Sequence, residues 1–202
     1  IYFAARQLDC RHVAIVTASH NAGEYNGVKF MVAGQPAVPA LIEELQAGLN
    51  SEGLVDPPGL VERVDLLAAY ESRVVNDAMA FVRCAPGDSR RSRIVVDTMA
   101  GAFTGIAPRV LRAAGFEVTS LVDELDPEFK QRHPNPAVDA NLTALIHAVR
   151  TSGADFGVGL DGDGDRAGFV DHTGRVIRPE QIGALLVEHC LSRPTVVYDL
   201  KC

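Results

Sequence analysis

A chain of 202 residues is long enough for one large or two modest domains, each with its own core. Hydrophobic residues make up 47% and charged residues 22%, which is ordinary globular usage and indicates neither disorder nor a fibrous class; no apolar run approaches the roughly 20 residues that span a bilayer. The formal net charge of −7 argues against non-specific binding to nucleic acid or to an anionic membrane, so an anionic substrate needs a local positive site supplied by a metal, arginines or helix N-termini.

The elements follow in chain order. Val13 to Thr17 is a short β-branched run that reads as a buried strand, and Ala18 to Gly27 is a polar loop. Val28 to Val32 reads as a second strand. Leu41, Ile42, Leu45 and Leu49 recur at helical spacing, with Gly48 as a stop. Asp56-Pro57-Pro58-Gly59 is a strong breaker and marks the expected domain boundary. A long helix is expected from about Asp65 to Phe81, then a polar loop over Ala85 to Arg93. Beyond it strands and helices alternate: strand Ile94 to Asp97, helix Ala107 to Ala114 closed by Gly115, and strand Phe116 to Leu121. Helix Leu142 to Val149 is closed by Gly153, and strands Phe156 to Leu160 and Ala167 to Asp171 follow, with a turn at His172-Thr173-Gly174. Pro179 opens a helix running to about Leu191, and Thr195 to Asp199 is a last strand. This alternation predicts an α/β fold: mixed, mainly parallel sheets with helices on both faces. Cys10, Cys84, Cys190 and Cys202 form no C-x-x-C pair, so neither a zinc site nor a disulfide framework is expected. Reduced thiols and the lack of a visible secretory leader read as cytoplasmic.

Leu160-Asp161-Gly162-Asp163-Gly164-Asp165-Arg166 carries the most information. Three carboxylates at alternate positions repel one another unless a cation neutralises them, and the glycines let the backbone fold tightly enough for them to converge. Oxygen ligands without His or Cys suit Mg²⁺ or Ca²⁺ rather than zinc. An EF-hand is excluded, because its sixth position holds Arg166 instead of Gly and its twelfth His172 instead of Glu. A solvated acidic turn is the alternative, but these acids end a strand read as parallel, where open α/β sheets bind ligands. Arg166 beside a dication calls for a shared anion, and a phosphate bridging both would supply it.

The other loop reads Thr17-Ala18-Ser19-His20-Asn21, continuing through Asn26-Gly27 to Lys29. Ser19 at a strand end is a candidate nucleophile that needs a base or metal to activate it. His20 and Lys29 are candidate acid/base or phosphate-binding groups. Alone, such a motif is more often a capping or turn sequence than a catalytic one. G-x-S-x-G is absent, so an α/β-hydrolase elbow is not supported.

Together the two loops resemble the α-D-phosphohexomutases, whose pattern T-A-S-H-N-P-x-x-Y-N-G-x-K precedes D-G-D-x-D-R. Here these are Thr17 to Lys29 and Asp161 to Arg166, with Ala22 where proline is usual. The V-V-D at Asp97, His133-Pro134-Asn135-Pro136 and Val197-Tyr198-Asp199-Leu200-Lys201 are also similar, so the resemblance covers nearly the whole chain. Phe30-Met31-Val32-Ala33-Gly34 looks most like the bifunctional phosphomannomutase/phosphoglucomutase branch.

The resemblance implies part of domain 1 over residues 1–57, domain 2 over 58–193 and the start of domain 3 over 194–202. It implies an isomerase of the phosphotransferase type that interconverts hexose 1-phosphate and hexose 6-phosphate, of mannose, glucose or both. Phosphoserine at Ser19 and a hexose 1,6-bisphosphate would be the intermediates. Mg²⁺ would be held by Ser19, Asp161, Asp163 and Asp165. His20, Lys29 or Arg166 would handle the proton, and Arg166 and Lys201 would bind substrate. Three competitors are a non-catalytic fragment that binds metal and phosphosugar, a phosphoglucosamine mutase, and a metal-dependent phosphatase.

Overall fold

The computed structural model describes residues 1–49, 59–82, 91–190 and 195–196, with the side chains of 81, 82 and 190 left aside. The expected breaker at Asp56-Pro57-Pro58, most of the loop over Ala85 to Arg93, and most of the last strand lie outside the described residues. Lys201 lies outside them too. The chain divides into two compact units: Ile1–Thr17 with Asn26–Tyr70, and Ala18–Tyr25 with Glu71–Cys202.

The first unit holds helix α1 (Tyr2–Gln7), strands β1 (Val13–Val16), β2 (Val28–Val32) and β3 (Gln35–Pro36), and helix α2 (Pro39–Gly48). The strands form one antiparallel sheet in the order β1-β2-β3, with Val13 opposite Met31 and Val16 opposite Val28. Ala33 and Gly34 both take positive φ, 51° and 78°, as a two-residue hairpin turn requires. The Thr17 amide donates to the Gly27 carbonyl at 2.9 Å and closes the ladder at the foot of the serine loop. Helix α3 (Leu67–Val82) starts in this unit, where Tyr70 meets Phe3 edge-to-face at 5.5 Å, and continues into the second.

The second unit is built on a five-stranded sheet. It comprises β4 (Arg93–Asp97), α4 (Ile106–Ala113), β5 (Glu117–Ser120), a 3-10 turn (Asp139–Leu142) and α5 (Thr143–Ser152). After these come β6 (Phe156–Leu160), β7 (Ala167–Asp171), β8 (Val176–Ile177) and α6 (Pro179–Cys190). The strand order is β5-β4-β6-β7-β8. β4 pairs in parallel with β5 and β6, whereas β6–β7 and β7–β8 are antiparallel. The mainly parallel expectation therefore holds for β5-β4-β6 and stops at β6. A parallel crossover needs a dozen or more residues, and the loops after β6 and β7 are too short to supply them.

Alternation along β4 explains the two cores. Val95 faces one side and packs with Met99, Leu142, Leu145, Val149 and Val170; Ile94 and Val96 face the other with Ala107. Helix α5 thus covers one face and α4 the opposite one. In Phe156-Gly157-Val158-Gly159-Leu160 the glycines face α5. A Cβ on Gly157 would lie 2.6 Å from Val149 Cγ2 and 2.8 Å from Leu145 Cδ1. Their lack of side chains lets the helix settle directly on the strand. Parallel pairing puts Asp97 opposite Gly159, so the ends of β4 and β6 reach the same edge of the sheet. No helix among the described residues is long and apolar enough to cross a membrane.

Candidate metal and phosphoryl site

The loop after β6 is a tight hairpin. The Asp161 amide donates to the Arg166 carbonyl at 3.1 Å, the Gly164 amide donates to the Asp161 carbonyl at 3.0 Å, and Gly164 has φ +73°. This folding brings carboxylate oxygens of Asp161, Asp163 and Asp165 within 4.8 Å of one another. They are graded in exposure: Asp161 is buried, Asp163 half-buried and Asp165 exposed. An all-oxygen cluster of three carboxylates is a donor set that fits a hard divalent cation, so these residues can hold a metal ion.

Burial pushes the Asp161 carboxyl above its usual range, and the neighbouring Asp163 and Asp165 charges push the same way. Against them act the Arg166 amide, which donates to Oδ1 at 3.0 Å, and the Arg166 guanidinium. Arg166 Nε donates to Asp161 Oδ2 at 2.9 Å.

Residues Ala18–Tyr25 belong to this unit, so the serine loop is part of the same site. Two short turns shape it, with the Asn21 amide donating to the Ala18 carbonyl and the Tyr25 amide to the Ala22 carbonyl. Ser19 itself takes φ 55°, a left-handed conformation that costs a non-glycine residue about 1 kcal/mol or more. Strain of that kind gathers where surrounding structure holds a functional side chain in place. Ser19 Oγ donates to Asp161 Oδ2 at 3.4 Å and accepts from Arg166 Nη2 at 2.7 Å. His20 Nδ1 lies 3.4 Å from Ser19 Oγ and also meets Arg166 Nη2.

The structure therefore brings together Ser19, His20, Asp161, Asp163, Asp165 and Arg166, although 142 positions separate Ser19 from Asp161. Lys29 lies exposed on β2, opposite Ile15, in the first unit.

Sequence reasoning missed the layer beneath the loops. Asp97, fully buried, is paired with both terminal nitrogens of Arg132, and Met99 N donates to Asp97 Oδ1 at 3.0 Å. Burial raises the Asp97 carboxyl, while the Arg132 charge and these hydrogen bonds pull it back. The Ala102 amide donates to the Gly162 carbonyl at 2.9 Å. Strand-end position and the V-V-D resemblance flagged Asp97; nothing in the sequence ties it to a partner 35 residues away.

An α/β unit with a serine hydroxyl and three carboxylates gathered at the carboxyl ends of parallel strands defines a candidate metal-dependent phosphoryl site. The family model for phosphoglucomutase/phosphomannomutase α/β/α domain I matches residues 1–55, and that for domain II matches residues 69–174. The chain belongs to the phosphoglucomutase/phosphomannomutase family. A phosphomannomutase/phosphoglucomutase of Pseudomonas putida is 35% identical over the whole of this chain. That of Pseudomonas aeruginosa strain PAO1 is also 35% identical. The chain spans 42% of the length of each. Among solved structures, a family protein from Burkholderia thailandensis superposes with a TM-score of 0.75 at 31% identity, covering 90% of this chain and 38% of that one.

Proposed function

We propose that these residues form the phosphoryl-carrying part of a hexose-phosphate mutase that interconverts the 1- and 6-phosphates of mannose, glucose or both. The reading is supported above all by Ser19 Oγ, seated between Asp161 Oδ2 and Arg166 Nη2 at the mouth of the acid triad. In the domain scheme that goes with it, domain 1 ends near residue 57 and domain 2 near residue 193.

In the resting enzyme Ser19 carries a phosphoryl group. Asp161, Asp163 and Asp165 would hold Mg²⁺ beside that group, where it would supply charge neutralisation. Arg166 moves from Ser19 Oγ to a phosphoryl oxygen and keeps its contact with Asp161. A free sugar hydroxyl attacks in line. The Ser19 O–P bond breaks as the new sugar O–P bond forms, and the hydroxyl proton passes to a base. His20, whose Nδ1 lies 3.4 Å from Ser19 Oγ, is one candidate; Lys29 and Arg166 are the others. The resulting hexose 1,6-bisphosphate turns over, and its other phosphate returns to Ser19. Lys201 is assigned to substrate.

Ser19→Ala in the intact enzyme is expected to abolish phosphorylation of the resting protein, read by intact-mass spectrometry; retained phosphate overturns the assignment. Coupled assays with mannose 1-phosphate, glucose 1-phosphate and glucosamine 1-phosphate distinguish the bifunctional enzyme from a phosphoglucosamine mutase. Coverage of 42% of the relatives favours one further reading for the 202 residues taken alone: binding of metal and phosphosugar with little turnover.

A further inference from the structure

The turn after β4 carries more backbone strain than its sequence requires. Met99 and Ala100 are consecutive non-glycine residues with φ 49° and 60°. Such a pair persists only where its surroundings over-determine it. Asp97 Oδ1 accepts the Met99 amide at 3.0 Å and so holds the first of them. The Thr98 and Thr104 hydroxyls, 2.9 Å apart, and the Gly101 amide, donating to the Thr98 carbonyl, close the turn. Its product is one contact: the Ala102 amide reaches the Gly162 carbonyl inside the acid loop. A Cβ on Gly101 would lie 2.6 Å from that carbonyl oxygen, so the approach is close.

A second wall bears on the same loop. Phe129 and Pro134 both face Gly162, where an added Cβ would lie 3.2 Å and 3.5 Å from them. Arg132 sits between these two residues in sequence. Its Nη1 donates to Asp97 Oδ1 at 2.9 Å and its Nη2 to Asp97 Oδ2. The pair, fully buried at Asp97 and half-buried at Arg132, therefore ties the strained turn to the Phe129–Pro134 wall. The Asp126 amide, donating to the Ala100 carbonyl at 3.0 Å, adds a backbone tie between them.

We propose that Asp97 and Arg132 are positioning residues that set the affinity of Asp161, Asp163 and Asp165 for a divalent cation by clamping Gly162 from both sides. The proposal rests on the metal reading of that triad. Neither residue is a ligand. Both act through the Ala102–Gly162 hydrogen bond and the Phe129–Pro134 wall.

The test is titration of the chain with Mn²⁺, following unbound Mn²⁺ by electron paramagnetic resonance well below each variant's unfolding temperature. Arg132→Lys keeps the charge but loses the two-pronged geometry, and Asp97→Asn keeps the shape but loses the charge. Each is expected to weaken Mn²⁺ binding about 10-fold or more, the scale at which residues supporting metal ligands act. Arg178→Lys, at the exposed pair with Asp139, is expected to leave the affinity unchanged. Folded Arg132→Lys and Asp97→Asn proteins with wild-type affinity and only lowered unfolding temperatures overturn the proposal and leave the pair a purely structural one. Should either variant not fold, amide exchange in the unsubstituted chain decides. Coupling is reciprocal, so Mn²⁺ must slow exchange of the Met99 amide, which touches Asp97 and not the acid loop. An unchanged Met99 rate overturns the proposal. No Mn²⁺ binding by the unsubstituted chain overturns the metal reading itself and this proposal with it, whereas bound Mn²⁺ with an indifferent pair overturns the proposal alone.

Discussion

Gly162→Ala is the smallest change that tests whether the serine and acid loops act as one site. A Cβ at that position would lie 2.4 Å from the Ser19 carbonyl oxygen. Van der Waals contact needs about 3.5 Å, so one loop must retreat by about 1 Å. Sideways relief is closed, because the added methyl already meets Phe129 Cζ at 3.2 Å and Pro134 Cβ at 3.5 Å. Overpacking of this kind costs about 1–3 kcal/mol of stability. The Ser19 Oγ–Asp161 Oδ2 contact of 3.4 Å is at the limit of a hydrogen bond, and a further ~1 Å breaks it. Displacement of a reacting group by about 1 Å costs about 100-fold in rate. The assay pairs thermal unfolding with single-turnover phosphoryl transfer from Ser19 in the intact enzyme. Transfer at the wild-type rate from a folded Gly162→Ala protein would refute the claim that the two loops must touch at this glycine.

Three further outcomes are expected. Leu145→Ala removes a fully buried side chain that lies against Gly157 and Gly159, and denaturant titration should show a loss of about 2–5 kcal/mol, with the midpoint falling at constant slope. Gly183→Ala, inside α6 with nothing within 4 Å of the added methyl, should stabilise the chain by about 0.5–1 kcal/mol in the same experiment. The Asp171 carboxyl is lowered to about 2, chiefly by the Thr173 hydroxyl and the Arg175 amide. A depressed folded pKa gives stability that is fully present above the ordinary carboxylate value of 3.8 and lost as pH falls toward 2, so Asp171→Asn should flatten that part of the acid-unfolding profile.

Much of this molecule is legible locally. Val28–Val32, Phe156–Leu160 and Ala167–Asp171 form strands over the residues where β-branched and apolar runs place them. Gly153, at φ +66°, ends α5 as a left-handed cap. The acid triplet is legible locally as well: three carboxylates at alternate positions in a tight hairpin that turns at Gly164 come within 4.8 Å of one another. Other features had no local signature. The extended stretch Val176–Ile177 and the 3-10 turn Asp139–Leu142 are too short for periodicity to mark.

The amino-acid order by itself determined the longer elements of the second unit, the carboxylate cluster and a serine placed at a strand's end, since each depends on neighbours a few residues away. Tertiary structure alone decided that Ser19 meets Asp161, that Asp97 finds Arg132, and that the sheet turns antiparallel after β6. Those outcomes depend on strand register and on which loop ends share an edge of the sheet, and contacts between distant residues form only once the chain has closed around a common core.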